Sequence, residues 1–236
     1  MGCLAILVIG YGIAINLVEV TWKGQLKLQY PNPNDYSAFM GMFSTITGVI
    51  TILMMLFVGG NVIRRWGWTV AALITPVVLL ATGAGFFGFV IFRDSLAGFI
   101  SMLGTTPLML AVVFGTAQNI MSKSAKYSLF DPTKEMAYIP LDQESKVKGK
   151  AAIDVVGARF GKSGGSLVQQ GLILACGSLA AITPYIAVIL FGIIFAWIFA
   201  SKSLGKRFTQ LNAEKEEAKK AEIASKPEQN LQGATS

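Results

Sequence analysis

Long apolar runs alternate with short polar stretches along almost the whole of this 236-residue chain. A helix needs about 20 consecutive apolar residues to cross the ~30 Å hydrocarbon core of a bilayer. The runs therefore predict an all-α membrane protein with six transmembrane helices. Their approximate bounds are 3–20, 36–61, 66–92, 96–121, 151–177 and 181–200.

Two polar segments lie outside these predicted spans. Residues 122–150 form a polar connection, in which Asp131-Pro132 is typical of a helix start because an N-cap precedes a proline in the first turn. We expect a cytoplasmic connection there, with a surface or juxtamembrane helix. Residues 208–236 are rich in charge and alanine, and we expect a frayed helix followed by disorder. Residues 1–207 then form one six-helix unit.

The composition agrees with a membrane protein, since 53% of the residues are hydrophobic, 14% are charged and the mean hydropathy is +0.57. The chain has no histidine, which excludes a histidine-based zinc site or catalytic triad. Cys3 and Cys176 lie in apolar runs and form no disulfide framework. We expect no metal, no other cofactor and no enzyme activity. The net charge of +7 is segregated into loops and tail, so nucleic acid is not an expected partner.

The basic residues predict an orientation, because positive loops favour the cytoplasmic side of a membrane. Eleven fall on one predicted side, against Lys23, Lys27 and Arg93 on the other. We expect the larger group and both chain ends on the cytoplasmic side, or on the stromal side in a plastid. Met1 enters an apolar run without a basic region before it, so no signal peptide is expected. The eleven residues are Arg64, Arg65, Lys123, Lys126, Lys134, Lys146, Lys148, Lys150, Lys202, Lys206 and Arg207.

The fifth predicted span separates into two faces when it is drawn as a helix at 100° per residue. The polar face covers an arc of roughly 100°, and the small-residue face covers roughly 80° on the nearly opposite side. The polar face holds Arg159, Lys162, Ser166, Gln169 and Gln170, and the other face holds Gly157, Gly161, Gly164, Val168 and Gly171. Small residues allow a neighbouring helix to approach closely.

Two interpretations of this stretch remain open. In the first, it is a cytoplasmic linker whose basic residues only orient the next span. In the second, it is a transmembrane helix that lines a water-filled cavity and presents its cations to an anionic solute. A phosphate-binding loop is excluded for GKSGGS at 161–166, because Val156 stands where the spacing requires the first glycine.

The first predicted span carries polar residues that also allow two interpretations. Glu19 lies four residues before Lys23, so it either forms a helix-end pair worth a few tenths of a kcal/mol or has a functional role. Asn16, one turn earlier, either hydrogen-bonds a solute or bridges two helices.

Four stretches are long and unusual enough to identify a family. They resemble the nucleotide transporters, which are the ATP/ADP translocases of plastids and of obligate intracellular bacteria such as chlamydiae and rickettsiae, distinct from the mitochondrial carrier. The resemblance covers the chain except its tail. The stretches are INLVEVTWK (15–23), YSAFMG (36–41), SKSAKYSLFDPTKEMAYIPLD (122–142), and KVKGKAAIDVV with GKSGGSLVQQ (146–170).

The resemblance implies a fold and a function. This family has twelve spans and is similar in fold to the major facilitator superfamily, so the chain would supply the second six. It would then need its N-terminal six-helix half, or a second copy. The implied activity is exchange of ATP for ADP across a bacterial inner membrane or plastid inner envelope. Charged residues within spans are held to matter in the family, and Glu19 and Lys162 match them.

If the solute is a nucleotide, the polar residues can be given roles. Lys162 and Arg159 suit the phosphates, since a triphosphate carries about four negative charges that a cavity must partly neutralise. Asn16, Gln169 and Gln170 could hydrogen-bond ribose or base, or only bridge helices. The alternatives are proton-coupled uptake of a nucleotide or NAD, transport of another anion such as phosphate, and a membrane subunit that does not transport.

Overall fold

The computed structural model describes residues 2–102, 104–139 and 143–232, and over these residues the backbone is helical almost throughout, without a strand. Three π-helical segments join successive helices without a break. The α-helices are α1 (Gly2–Gln29), α2 (Pro33–Met54), α3 (Gly60–Ile91), α4 (Arg93–Ser101), α5 (Pro107–Ala125), α6 (Asp131–Tyr138), α7 (Gln143–Lys150), α8 (Ala158–Cys176) and α9 (Leu179–Gln232). The π-helical segments are Met55–Gly59, Lys126–Phe130 and Ala151–Gly157.

The sequence explains where several helices begin. Asn32 caps α2, because its side chain accepts a hydrogen bond of 2.9 Å from the backbone N–H of Asn34. Thr106 caps α5 in the same way, with a hydrogen bond of 3.1 Å from Met109. In both helices a proline, which has no N–H to leave unpaired, occupies the first turn.

Two glycines end helices through backbone angles that other residues rarely adopt. Gly67 has φ 79° and ψ 173°, so it interrupts α3 between Trp66 and Trp68. Gly177 has φ 85° and ends α8, where its N–H donates to the carbonyl of Ile173. The predicted boundary between the second and third spans, just after Arg65, coincides with the break at Gly67.

Helices that continue across a π-helical segment are counted here as one rod, and the break at Gly67 separates two rods. Apart from the short helix α4, the helices of the described residues then form six rods. We call them rods 1 to 6 in chain order. They cover 2–29, 33–66, 68–91, 107–138, 143–176 and 179–232.

Rod 1 packs on rods 4, 5 and 6, and its Trp22 also meets Phe43 of rod 2. It runs parallel to rod 5, since Gly12 packs on Gly161 and Asn16, one turn later, bonds to Ser166. Rods 4 and 6 run antiparallel to rod 1. The contacts that show this are Tyr11 with Phe130 and Trp22 with Thr116 for rod 4, and Tyr11 with Trp197 and Gly24 with Leu179 for rod 6.

Rods 2 and 3 complete an alternating arrangement around rod 4. Rod 2 runs parallel to rod 4 and rod 3 runs antiparallel to it. The contacts are Thr51 with Ser124 and Gly59 with Ser128 for rod 2, and Trp68 with Thr133 and Gly83 with Gln118 for rod 3. The start of rod 1, the break at Gly67, the end of rod 4 and the C-terminal part of rod 6 therefore lie at one end of the bundle.

Three stretches of the described residues are long and apolar enough to cross a membrane. They are Gly2–Gln29, Pro33–Ile91 and Leu179–Ala218, and the second contains rods 2 and 3 on either side of Gly67. Together with the helical backbone, these stretches make the chain an all-α membrane protein.

Residues 122–138 differ from the predicted surface connection, because they continue rod 4 into the core. Ser122, Ser124 and Ser128 are buried, as are Leu129 and Tyr138. Some polar side chains here bond to carbonyls of their own helix, as Ser128 does to Ser124 at 2.8 Å, and can be buried without an external partner. The prediction of a surface connection, which rested on polarity alone, is therefore wrong for residues 122–138, which form a buried helix.

The continuity of rod 4 also corrects the interpretation of Asp131-Pro132 as a helix start. Pro132 has no N–H to donate to the carbonyl of Ser128, four residues earlier. The π-helical segment 126–130 lies directly before it and carries the helix past the proline without a break. Gly59 of rod 2 packs so closely on that carbonyl of Ser128 that a side chain there would overlap it.

The backbone beyond residue 208 is helical through Gln232, where we expected disorder to follow a frayed helix. Residues 213–222 consist of alanine, glutamate and lysine, which are all strong helix formers. Residues 233–236, also part of the predicted tail, lie outside the described residues.

The crossing of rods 1 and 5 follows a single row of positions on rod 5. Gly157, Gly161, Gly165 and Gln169 are buried at intervals of four residues, the row along which closely crossing helices interdigitate. A Cβ on Gly161 would lie 2.8 Å from the carbonyl oxygen of Ile9, so the two backbones almost touch. Only glycine allows this approach.

Replacing Gly161 with alanine should destabilise the fold, because the added methyl group meets the backbone of rod 1. Overpacking of this kind costs about 1–3 kcal/mol. Gly164→Ala is the matched control, since a Cβ there meets nothing within 4 Å and alanine favours the helix. Thermal unfolding of the purified full-length protein in detergent should show a lower midpoint for Gly161→Ala alone. Equal midpoints would contradict the close crossing.

Candidate functional site

A cavity of about 460 Å³ lies between rods 1, 4 and 5. This volume is within the range of about 300–1,000 Å³ found for small-molecule sites. Each of the three rods contributes to the wall, and most of the polar lining is charged. The lining residues are Val8, Tyr11, Gly12, Lys126, Phe130, Asp131, Lys134, Glu135, Asp154, Ala158 and Lys162.

The glycine crossing brings Lys162 to this cavity. Lys162 directly follows Gly161, and its backbone nitrogen lies 3.2 Å from the position that a Cβ on Gly12 would occupy. Its side chain is exposed and forms no ion pair with any side chain that the structure describes. The cavity-lining position of Lys162 agrees with the second interpretation of the fifth span.

The other cations of the cavity are paired with carboxylates. Lys126 lies 2.7 Å from Asp131, and Lys134 lies 3.0 Å from Asp154. Lys134 also lies 3.6 Å from the carboxylate of its neighbour Glu135. Lys126, Asp131, Lys134 and Glu135 come from rod 4, whereas Asp154 comes from rod 5, so the Lys134–Asp154 pair ties the two rods together.

Glu135 makes a further ion pair at the end of the bundle, with Lys150 at 2.5 Å. Glu135 and Lys150 therefore hold each other as an ion pair. Lys162 is the cavity cation left without a carboxylate partner among the described residues.

An aromatic wall closes the cavity on the side of the core. The rings of Tyr11 and Phe130 stack with their centroids 5.2 Å apart, and Trp197 of rod 6 meets both rings edge-on. Tyr11, Phe130 and Trp197 are all buried. Apolar surface on one side of a charged cavity lowers the local dielectric constant and strengthens the attraction of the cations for an anion.

Glu19 lies beyond this cavity along rod 1. It is seven residues after Gly12, which is a rise of about 10 Å. Its carboxylate is 2.8 Å from Lys23, the helix-end pair anticipated from the sequence, and 4.0 Å from Lys123 of rod 4. Glu19 does not line the cavity that Lys162 lines, but the two opposite charges still attract each other.

Asn16 and Gln169 join rods 1 and 5. The amide of Asn16 donates to the hydroxyl of Ser166 at 3.2 Å, and the amide of Gln169 donates to the backbone carbonyl of Asn16 at 3.3 Å. Gln169 is buried, although the helical wheel placed it on the face opposite the glycines. Helices that cross closely pack along a row of every fourth residue, and this row winds slowly around the helix. The buried face therefore does not stay within one fixed arc of a helical wheel, and Gln169 falls on it.

The remaining candidates on rod 5 do not line the cavity. Arg159 and Gln170 are exposed, and neither contributes to its wall. Gly164, assigned from the wheel to the packing face, has no atom within 4 Å of where its Cβ would be, and neither does Gly171.

Five charged lining residues were missed by sequence reasoning: Lys126, Asp131, Lys134, Glu135 and Asp154. The first four lie in the segment that polarity assigned to a connection. One feature of the sequence could have revealed them. Lys126, Phe130 and Lys134 are spaced at intervals of four, which puts two cations and an aromatic ring on one helix face.

Within the described residues, no group of three or more potential ligands is placed to hold a metal ion. Cys3 and Cys176 are both free thiols.

The chain is similar to known proteins over most of its length. Residues 1–208 match the family model described as TLC ATP/ADP transporter. The chain is 67% identical over 214 residues to ADP,ATP carrier protein 1 of Chlamydia trachomatis, which covers 91% of this chain and 40% of that protein. It is 60% identical over 222 residues to ADP,ATP carrier protein 2, chloroplastic, of Arabidopsis thaliana, covering 94% and 36% respectively.

A third relative is more distant. The chain is 46% identical over 220 residues to ADP,ATP carrier protein 1 of Rickettsia bellii, covering 91% of this chain and 44% of that protein. The chain thus spans about two fifths of the length of these relatives. No solved structure matches it.

Proposed function

Because the chain belongs to the TLC ATP/ADP transporter family, we propose that it forms the C-terminal half of a membrane carrier that imports ATP in exchange for ADP. The relatives are named ADP,ATP carriers. The observation that carries the proposal is the unpaired Lys162 in a cavity whose other charges are balanced. An anion that enters this cavity meets a cation that forms no ion pair with a carboxylate of the described residues.

The phosphates of the nucleotide are the part that this site can recognise. Lys162 presents a compact charge suited to a phosphate oxygen. The neighbouring ion pairs hold the remaining cations, so binding is balanced between capture and release, as a carrier requires. Arg159 and Gln170, which are exposed on the same rod, face the missing half of the carrier in this proposal.

The architecture that fits this function is a pair of six-helix halves. All six rods of this chain cross the bilayer, and a second set of six closes the open side of the cavity. Major-facilitator-type carriers have two such halves, related by an axis along the membrane normal, with the substrate site between them. The N-terminal half of the carrier, or a second copy of this chain, is therefore the required partner.

The orientation follows from the basic residues and the alternating rods. Lys123, Lys126 and Lys134 lie within the bundle and do not count as loop charges. Eight of the eleven basic residues then remain in the group at the end where rod 1 begins. We assign this end to the cytoplasm of a bacterium or the stroma of a plastid, with the carrier in the inner membrane or inner envelope.

Thiol labelling from outside should reach a cysteine at Asn34 but not one at Lys148. Both positions are exposed, but they lie at opposite ends of the bundle. The measurement uses a membrane-impermeant reagent on intact cells that express the full-length carrier, with Cys3 and Cys176 replaced. Permeabilised cells, in which both positions should react, provide the control. Labelling of the Lys148 position alone in intact cells would invert the proposed orientation.

Lys162→Gln should reduce ATP/ADP exchange by well over tenfold. The lost contact between unit charges is worth up to about 4 kcal/mol at an effective dielectric constant near 20, before desolvation is subtracted. Lys162→Arg should recover part of the activity, since it keeps the charge but changes the geometry. The assay is counter-exchange of labelled ATP by the full-length carrier in proteoliposomes.

Lys148→Gln is the matched control for that assay, because Lys148 is an exposed surface residue paired with Glu144 on its own helix. Labelled NAD and phosphate should not exchange. If Lys162→Gln exchanges ATP like the parent, the assignment of the cavity is wrong. If the parent takes up NAD or phosphate instead, the carrier belongs to another substrate class.

Glu19→Gln should slow exchange while leaving equilibrium binding of ATP nearly unchanged. A carboxylate does not bind phosphate directly, and Glu19 instead holds Lys23 and approaches Lys123. In the proposed cycle it attracts a cation when the site is empty and so helps to reset the carrier. Binding and counter-exchange are measured on the same preparation, with Glu144→Gln as a control that removes an exposed helix pair. A loss of binding as large as the loss of exchange would refute this role.

A further inference from the structure

The pair between Lys134 and Asp154 is the least exposed ion pair of the cavity. The side chain of Lys134 is 13% exposed and that of Asp154 is 21% exposed, whereas Lys126 and Asp131 are 30% and 31% exposed. Half-buried charges attract each other more strongly than surface charges, because less water screens them. The pair also joins the end of rod 4 to rod 5 beside the same cavity that Lys162 lines.

We propose that Lys134 is a second phosphate-binding residue of this carrier, and that Asp154 occupies it while the cavity is empty. The proposal rests on the proposed function, since it assumes a nucleotide in the cavity. A polyphosphate carries more negative charge than one carboxylate and can displace Asp154 from Lys134. The nucleotide would then be held by Lys162 of rod 5 and Lys134 of rod 4 together.

The surroundings of Asp154 can stabilise its carboxylate after Lys134 has moved away. The hydroxyl of Tyr138 lies 3.5 Å from the same oxygen of Asp154 and can donate a hydrogen bond to it. Tyr138 is fully buried and therefore fixed in position. When Lys134 turns to a phosphate, Asp154 keeps this donor and is not left as an isolated buried charge, which would be costly.

Lys134 keeps a second carboxylate neighbour, Glu135, at 3.6 Å. Glu135 is itself held by Lys150 at the end of the bundle. The positive charge of Lys134 is therefore only partly neutralised by Glu135, and most of its attraction remains available to a phosphate once Asp154 has left.

The two members of the pair should respond in opposite directions when they are neutralised. Lys134→Gln removes a phosphate contact and should weaken the binding of ATP and ADP at least tenfold, with no effect on adenosine. Asp154→Asn removes the competitor and should tighten ATP binding several-fold while slowing exchange, because release of the nucleotide becomes harder. A pair with only a structural role would weaken binding in both variants.

The experiment measures equilibrium binding of ATP, ADP and adenosine, and counter-exchange, on the full-length carrier. The matched control neutralises the exposed Lys148–Glu144 pair, which also joins a lysine to a carboxylate at 2.6 Å but lies away from the cavity. Lys148→Gln and Glu144→Gln should behave like the parent in both assays. Thermal unfolding of each variant shows whether it is folded.

The double variant Lys134→Gln with Asp154→Asn keeps the test decisive if either single variant fails to fold, because it leaves no unpaired charge of this ion pair in the bundle. It should bind ATP as weakly as Lys134→Gln. Parental affinity in the double variant would overturn the proposal, as would weaker binding in Asp154→Asn. Failure of the parent to bind or exchange nucleotides would instead refute the proposed function itself.

Discussion

The near contact of two backbones, where Gly12 of rod 1 meets Gly161 of rod 5, is the constraint on which the cavity depends. It draws rod 5 against rod 1 and places Lys162, the next residue, in the wall of the cavity beside rod 4. Tyr11, which precedes Gly12, stacks on Phe130, and both rings line the same cavity. A side chain at this crossing would separate the rods and widen the space in which a single cation acts.

The charges of the cavity are arranged so that most are satisfied within the protein. Lys126, Lys134 and Glu135 each have an opposite charge within hydrogen-bonding distance, and Lys162 has none among the described residues. A fully paired cavity would attract an anion weakly, and one with several unpaired cations would hold it too long. In the proposed carrier, one cation without an ion pair among the described residues, beside ion pairs that a phosphate can displace, is a compromise between capture and release.

Much of the fold, but less of the site, could be predicted from the sequence. The apolar runs correctly indicated an all-α membrane protein. The motifs between 15 and 170 indicated the family, which the match over residues 1–208 confirms. Lys162, which lines the cavity, was a candidate from the sequence because a cation beside small residues in an apolar helix is unusual. Lys126, Lys134 and Asp154 were missed because local polarity measures the preference of a segment for water, whereas their positions depend on which rods meet around them. Gln169 was misplaced because a straight wheel ignores the crossing of two helices.

The contact between Gly59 and the carbonyl of Ser128 has a mechanical consequence for rods 2 and 4. The carbonyl fits a notch that exists only where a side chain is missing. Translation of one rod along the other would bring a side chain from the neighbouring turn of rod 2, three or four residues from Gly59, towards that oxygen. A change in the angle between the two rods at Gly59 moves no side chain towards the carbonyl, so the rods can pivot at this contact. The two rods can change their angle at this point, but they cannot slip past each other.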